Sequence, residues 1–178
     1  MTRYAMVCDQ RLCVACNACV VACNNENGVP EGGTRCWTAQ VQSGKFPNLK
    51  METRSERCNH GENAPCVPAC PTGASHHSDG GIVLVAKDKC VGCKACIVAC
   101  PYEARYIHPE GHVEKCTFCI HRVRNGKKPA CVTVCPTDAL TFGDLDDRNS
   151  KIVKLLESRQ SKVLRPEEHT KPRYLLLT

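Results

Sequence analysis

One stretch decides the fold of this chain: Cys90-Val91-Gly92-Cys93-Lys94-Ala95-Cys96-Ile97-Val98-Ala99-Cys100-Pro101. Its first three cysteines are separated by two residues each, so one loop can wrap three thiolates around a single inorganic centre. The fourth cysteine sits a helical turn away and faces the other direction, and Pro101 stops the short helix because it lacks an N–H donor. This spacing is typical of a cubane iron–sulfur cluster, and it reserves Cys100 for a partner cluster.

Three further groups of cysteines have related spacings. They are Cys13-x2-Cys16-x2-Cys19-x3-Cys23, Cys58-x7-Cys66-x3-Cys70-Pro71 and Cys116-x2-Cys119-x11-Cys131-x3-Cys135-Pro136. The form C-P-x-x-A also recurs, at residues 70–74, 100–104 and 135–139. Repetition of a short unit indicates a duplicated structural module.

The last cysteine of each run binds the cluster that the partner run holds, so the groups must work in pairs. The second and third groups are neighbours and pair with each other, which leaves the first to pair with the fourth. Four ligand sets are predicted: set A (Cys13, Cys16, Cys19, Cys135), set B (Cys23, Cys116, Cys119, Cys131), set C (Cys58, Cys66, Cys100) and set D (Cys70, Cys90, Cys93, Cys96). Sets A, B and D each predict a [4Fe–4S] cluster.

Set C is one thiolate short. In Cys58-Asn59-His60-Gly61 the expected second cysteine is Gly61, which offers no side chain. Three thiolates suffice for three irons, so a [3Fe–4S] cluster is the preferred hypothesis. The alternative is an atypical [4Fe–4S] cluster with water, His60 or a displaced Cys36 as its fourth ligand.

Composition excludes several other classes of protein. The 17 cysteines are odd in number and tightly spaced, and the N-terminal residues lack the apolar core of a secretory signal, which argues against a disulfide framework. Zinc modules use pairs of CxxC rather than unbroken CxxCxxC runs.

No apolar run approaches the length of a membrane span, and a net charge of +6 spread along the chain indicates a solvated basic surface rather than nucleic-acid binding. The spare Cys8 and Cys36 are interpreted as buried small hydrophobes.

Local patterns predict a small α+β fold. Tyr4 to Val7 and Ile82 to Val85 are predicted strands that lead into cysteine loops, and residues 24–57 form a connecting excursion with one strand, Trp37 to Val41. Apolar residues at helical spacing predict a helix over 150–159, and Tyr174 to Leu177 are predicted to form a docked strand. There is no phosphate loop, flavin fingerprint or nucleophile–base pair, so no substrate site is expected on this chain.

The four-group order resembles the iron–sulfur (B) subunits of the dimethyl sulfoxide reductase superfamily of molybdopterin oxidoreductases. Within it, the chain is most similar to polysulfide and thiosulfate reductase B subunits. The segments that carry this closer match are Arg3–Met6, Asn25–Pro30, Ala64–Pro68, Cys70–Ala74, Cys116–Cys119, Phe142–Leu145 and Leu164–Glu167. The resemblance covers nearly the whole chain.

The resemblance implies a non-catalytic electron relay between a molybdenum or tungsten catalytic subunit and a membrane quinone-reactive subunit. It places set A nearest the catalytic subunit, followed by sets B, C and D, with set D nearest the membrane. It also implies a position on the outer face of the cytoplasmic membrane, reached by export with a signal-bearing partner, with the cytoplasmic face as the alternative.

The predicted architecture has two ferredoxin-like lobes, each binding two clusters. The first lobe comprises residues 1–23 and 105–145, the connecting excursion 24–57, the second lobe 58–104, and the C-terminal helix and docking tail 146–178. Two other functions stay open on the residues alone: a free soluble multi-cluster ferredoxin and a zinc-bearing binding module. Within the resemblance, a relay subunit of an arsenate, tetrathionate or sulfoxide system is a further alternative.

Overall fold

The computed structural model describes residues 2–178 and shows a small mixed α/β fold of short elements. The strands are β1 (Tyr4–Asp9), β2 (Cys36–Lys45), β3 (Asn48–Arg57), β4 (Ser75–His77), β5 (Val83–Val85), β6 (Tyr106–Ile107), β7 (Val113–Glu114), β8 (Leu140–Asp144), β9 (Ser161–Lys162) and β10 (Tyr174–Leu177). The helices are α1 (Ala18–Asn27), α2 (Ala95–Val98), α3 (Ile120–Val123), α4 (Ala130–Thr133) and α5 (Lys151–Ser158).

The largest sheet joins residues from both ends of the chain. Its strand order is β8-β1-β10-β9, with β1 parallel to β10 and antiparallel to β8. Helix α5 covers one face, where Ile152 is fully buried together with Ala5, Val7 and Leu177. The predicted strand at Tyr4, the predicted helix and the predicted docked C-terminal strand are therefore confirmed.

The connecting excursion contains a hairpin. The strand predicted over Trp37 to Val41 is confirmed as part of β2, but the expectation of a single strand was wrong, because β3 was not predicted. Strands β2 and β3 pair antiparallel over their whole length, from Cys36 opposite Arg57 to Lys45 opposite Asn48. The end near Cys36 and Arg57 is buried, whereas most side chains toward the turn are exposed. The second strand was missed because Leu49 and Met51 are its only apolar residues, so apolar–polar alternation is confined to its exposed end and the rest of the strand is polar.

Cysteines make up much of the core. The main buried cluster contains Cys19, Cys58, Cys116 and Cys131 together with side chains such as Phe118, Met6, Tyr174 and Leu176. A second buried cluster includes Cys66 and Cys96. Only 4% of the residues are aromatic, so large side chains are scarce in the core. Thiols line much of the space that such side chains fill in other small proteins.

Candidate iron–sulfur centres

The second residue after the first cysteine of each group adopts the same unusual backbone conformation. Ala15, His60, Gly92 and Phe118 have φ values of 53°, 44°, 66° and 51°. A left-handed residue at this position curls the loop so that successive backbone N–H groups converge on its concave side, which is how peptide loops bind anionic sulfur and phosphate groups. Such a conformation costs about 1–3 kcal/mol at a non-glycine residue, so its repetition indicates a shared constraint on the four loops.

Sets A and D each line one cavity. Cys13, Cys16, Cys19 and Cys135 surround a cavity with an empty volume of about 310 Å³. The four cysteines of set D surround one of about 290 Å³, together with Ser75 and Val113. Backbone N–H groups already point at sulfur in set D, since Ser75 N lies 3.4 Å from Cys70 Sγ and Val113 N lies 3.3 Å from Cys90 Sγ.

The cysteines of set B are all buried. Cys23 is contributed by α1 and Cys131 by α4, two helices that pack against each other, and Cys116 and Cys119 lie in the loop before α3. The side-chain amide of Asn27 spans two of them, with Nδ2 at 3.6 Å from Cys23 Sγ and 3.9 Å from Cys119 Sγ. Phe118 N approaches Cys116 Sγ at 3.5 Å. The fold therefore brings these residues together from both halves of the sequence.

Set C keeps the cavity although it lacks one thiol. Cys58, Cys66 and Cys100 line an empty volume of about 320 Å³, as large as the cavities with four cysteines. The missing position is closed by the C-terminal segment, because a Cβ built on Gly61 would lie 2.4 Å from the carbonyl oxygen of Thr170. The backbone N–H groups of Glu62 and Asn63 donate to Lys171 O at 3.1 Å and Thr170 O at 3.0 Å, which holds this segment in place.

Neither alternative protein ligand for set C is favoured by the geometry. The Nδ1 atom of His60 accepts a hydrogen bond from Val83 N at 3.1 Å, so the neutral ring carries its proton on Nε2 and has no free lone pair there. Burial, with Lys115 and Arg105 nearby, holds the pKa of His60 well below its usual range and keeps the ring neutral. Cys36 does not line the cavity; its thiol donates to Cys19 O at 3.6 Å.

The spare cysteines are buried, as the interpretation of Cys8 and Cys36 predicted. Both are fully inaccessible to solvent, and Cys8 belongs to the main core cluster. Both belong to strands rather than to cysteine loops, Cys8 to β1 and Cys36 to the start of β2.

Sequence reasoning missed three buried cations beside the cysteines. Arg57 Nη1 lies 2.9 Å from Cys131 Sγ, and Arg105 Nη2 lies 2.8 Å from Cys66 Sγ. Lys115 Nζ donates to the carbonyl oxygens of Val83 and of Cys116, the latter at 2.7 Å. A signal was present in the sequence, because Arg57 directly precedes Cys58, Lys115 directly precedes Cys116, and Arg105 directly follows a C-P-x-x-A unit.

The chemistry of these donors fits iron–sulfur clusters. Thiolates are the usual protein ligands of such clusters. Burial raises the pKa of Cys116 to about 12, so this thiol would ionise on binding a metal rather than in the free protein. Among the described residues, the buried atoms Arg57 Nε, Arg105 Nε, Arg105 Nη1 and His60 Nε2 have no hydrogen-bond partner. Buried donors in native proteins are almost always paired, and cluster sulfur would supply the missing acceptors. The fold and these centres define an iron–sulfur electron-transfer protein.

Comparison with known proteins narrows this class to one family. Residues 49–145 match the 4Fe-4S dicluster domain and residues 11–26 match the 4Fe-4S binding domain. The protein belongs to the iron–sulfur electron-transfer subunits of the dimethyl sulfoxide reductase superfamily, as the sequence resemblance predicted.

Three relatives illustrate the relationship. The B component of polysulfide reductase from Wolinella succinogenes is 46% identical, over 98% of this chain and 94% of the relative. The B component of tetrathionate reductase from Salmonella typhimurium is 42% identical, over 98% and 72%. Thiosulfate reductase electron transfer subunit PhsB of Salmonella typhi is 46% identical, over 82% of this chain and 78% of the relative.

The protein is an electron-transfer relay subunit without a catalytic role of its own, and the prediction of this function is confirmed. Within residues 2–178, the helices are all too short or too polar to cross a bilayer.

Proposed function

We propose that sets A to D hold four iron–sulfur clusters that relay electrons between a molybdopterin catalytic subunit and a membrane quinone-reactive subunit. The complex would be a respiratory reductase of the polysulfide or thiosulfate type, with this subunit on the outer face of the cytoplasmic membrane. Two ferredoxin-like lobes would divide the clusters, sets A and B in one and sets C and D in the other. The high identity to reductase subunits over nearly the whole chain supports this assignment.

The observation that carries the proposal is the order in which the four sets meet. Arg57 contacts Cys131 of set B and, through Ser55, Cys19 of set A. Lys115 donates to the carbonyl oxygens of Cys116 of set B and of Val83, which lines the set C cavity. Arg105 contacts Cys66 of set C and, through Ser75, Cys70 of set D. Each buried cation therefore marks one gap between neighbouring sets. A linear series A, B, C, D suits a relay, in which an electron enters at one end and leaves at the other.

Exposure supports the same order. The cysteines of set B are all buried and those of set C are buried or half-buried, whereas set A contains the exposed Cys16 and set D the exposed Cys93. Exposed valines surround both ends at equivalent positions, Val14 and Val21 beside set A and Val91 and Val98 beside set D. Exposed apolar groups around a redox centre suit docking of a partner protein, and two such ends suit two partners.

The residues of this chain have distinct tasks in such a relay. Thiolates would bind the irons, and the positive-φ loops would direct backbone N–H groups at sulfur. When bound, each cluster accepts and releases one electron. Burial of sets B and C excludes water, which together with hydrogen bonds to sulfur sets the reduction potential.

We also propose that set C holds a three-iron cluster. Three thiols face the cavity, and Thr170 occupies the place that a fourth would need. Protein purified without oxygen should contain about 15 iron and about 16 sulfide per chain, for three [4Fe–4S] clusters and one [3Fe–4S] cluster. The oxidised protein should give a three-iron EPR signal. Its absence from intact, unreconstituted protein would refute this part of the proposal.

The experiment that tests the whole proposal is isolation of the native complex. An affinity tag on this chain, expressed in its own host, should recover a large subunit containing molybdenum or tungsten and an integral membrane subunit. Addition of a quinol to the recovered complex should then reduce the clusters, with the quinol oxidised to the quinone. Recovery of the protein as a stable monomer carrying all its iron would instead favour a free soluble ferredoxin.

A further inference from the structure

Arg57 connects the thiols of set A with those of set B. The side chain is 1% exposed, and its Nη1 donates to Cys131 Sγ of set B at 2.9 Å. Its Nη2 donates to Ser55 Oγ, and that hydroxyl lies 3.4 Å from Cys19 Sγ of set A. One guanidinium therefore contacts one set directly and the other set through a serine.

The same arrangement recurs between sets C and D. Arg105 is 6% exposed, and its Nη2 lies 2.8 Å from Cys66 Sγ of set C and 2.9 Å from Ser75 Oγ. The backbone N–H of Ser75 in turn donates to Cys70 Sγ of set D at 3.4 Å. Ser75 and Arg105 both follow a C-P-x-x-A unit directly, so this pair occupies equivalent positions in the repeat.

A buried guanidinium needs a compensating anion, because its transfer from water is costly unless it is paired. Neither arginine has a carboxylate partner among the hydrogen bonds and ion pairs of residues 2–178; the charged groups that they face are thiols. Arg57 Nε, Arg105 Nε and Arg105 Nη1 also lack an acceptor there. Thiolates and cluster sulfides carry negative charge and would satisfy both requirements.

We propose that Arg57 and Arg105 are positioning residues that raise the reduction potentials of the two clusters between which each one lies. The inference rests on the proposed ligand sets. Reduction adds one electron to a cluster and its thiolates, which makes the unit more negative, and no covalent bond changes. A fixed buried cation stabilises the reduced form more than the oxidised form, and the serine extends this effect to the neighbouring set.

Replacement of Arg105 provides the sharper test, because set C is expected to have its own EPR signature. R105Q should lower the midpoint potentials of the set C and set D clusters by about 59 mV or more, which is tenfold in a one-electron equilibrium. R105K keeps the charge and should shift them less. The potentials of sets A and B should stay within error of the unchanged protein.

The reciprocal pattern is expected for Arg57. R57Q should lower the potentials of the set A and set B clusters and leave the set C signal at its original midpoint. The matched control is R54Q, three residues earlier on β3, where the guanidinium pairs with Glu56 Oε1 at 2.6 Å. That variant should leave all four midpoints unchanged.

The redox titrations separate a tuning role from a merely structural one. A structural role would cost iron or stability without a selective shift in potential. Full iron content with unchanged midpoints in both R57Q and R105Q would overturn the inference and leave the relay intact. If R57Q and R105Q fold without iron, S55A and S75A carry the test, because each removes the hydroxyl that links its arginine to the neighbouring set. The set A midpoint in S55A and the set D midpoint in S75A should then fall, and unchanged midpoints in both variants would equally overturn the inference. If the wild-type protein, purified without oxygen, contains no iron, the proposed function itself is refuted.

Discussion

At the scale of single residues, the loop around Gly61 has kept the backbone of a cluster-binding loop without its second thiol. His60 has the same positive φ as Ala15, Gly92 and Phe118, and the cavity beside it is undiminished. The difference lies in the C-terminal segment, whose Thr170 carbonyl oxygen occupies the space next to Gly61. The site has therefore adapted to three cysteines.

Introducing a thiol at this position should not restore a fourth ligand. In G61C the new Cβ meets the backbone of Thr170, which is held by hydrogen bonds and cannot rotate away as a side chain would. We expect a lower melting temperature and an unchanged three-iron EPR signal. G61A is the control, because it has the same steric conflict without the thiol and should lower the melting temperature similarly. Conversion of G61C to a four-iron cluster would show that the segment around Thr170 yields.

The spare cysteine beside set A should be dispensable for metal binding. Cys36 lies against Cys19 but belongs to β2 rather than to a cysteine loop. C36A is expected to keep its full iron content, whereas C19A leaves set A with three thiolates and should lose iron: about one iron per chain where a [3Fe–4S] cluster forms, and about four where the cluster is lost. Iron and sulfide analysis of both variants, purified in parallel without oxygen, checks this. Loss of a cluster from C36A would contradict the assignment of set A.

The ligand residues were predictable from sequence to the extent that spacing encodes geometry. Two-residue gaps and the C-P-x-x-A units predicted which cysteines belong together, and in the structure the members of set A line one cavity and those of set D line another. The roles of Arg57 and Arg105 were not predictable, because their partners Cys131 and Cys66 lie 74 and 39 residues away. A long-range contact of this kind leaves no local pattern in the chain.

At the scale of elements, the C-terminal strand completes the main sheet. Strand β10 lies between β1 and β9, and Tyr174, Leu176 and Leu177 are fully buried. The apolar run predicted a docked strand, but its parallel pairing with β1 depended on the fold of the whole chain. The hairpin of β2 and β3 is the opposite case, since a highly charged strand forms because its backbone pairs with β2.

Truncation of a side chain in β10 should be costly. L176A removes a fully buried side chain from the main core cluster and should cost about 2–5 kcal/mol of stability. The matched control is L49A on the exposed part of β3, where the leucine is 48% exposed and the loss should stay within about 0.5 kcal/mol. Denaturation in guanidinium under anaerobic conditions, monitored by circular dichroism, compares the two. Equal midpoints would mean that β10 contributes little to the fold.

At the scale of the whole molecule, we expect folding to depend on metal. The core is built around cysteines, the chain has few large apolar side chains, and two buried guanidinium groups face thiols rather than carboxylates. Burial raises the pKa of Cys116 to about 12, so this thiol is protonated when no iron is bound. Iron-bound thiolates would supply the negative charge that the two buried arginines need, and we therefore expect much of the folding free energy to come from metal ligation.

Removal of all iron should therefore unfold the protein. Chelation of iron under reducing conditions is expected to collapse the dispersion of the amide NMR spectrum and to remove protection from proteolysis. Anaerobic reconstitution with iron and sulfide should restore both, which is the control for irreversible damage. A well-dispersed spectrum of the iron-free protein would contradict this expectation.

The parallel pairing of β1 with β10 also has a consequence for biosynthesis. The ribosome must translate through Leu177 before β1 can acquire this neighbour. A nascent chain that already displays most of its cysteines therefore still lacks a central strand of its main sheet. The main sheet is accordingly completed only after synthesis has passed β10, and a chain that stops before this strand leaves one edge of β1 unpaired.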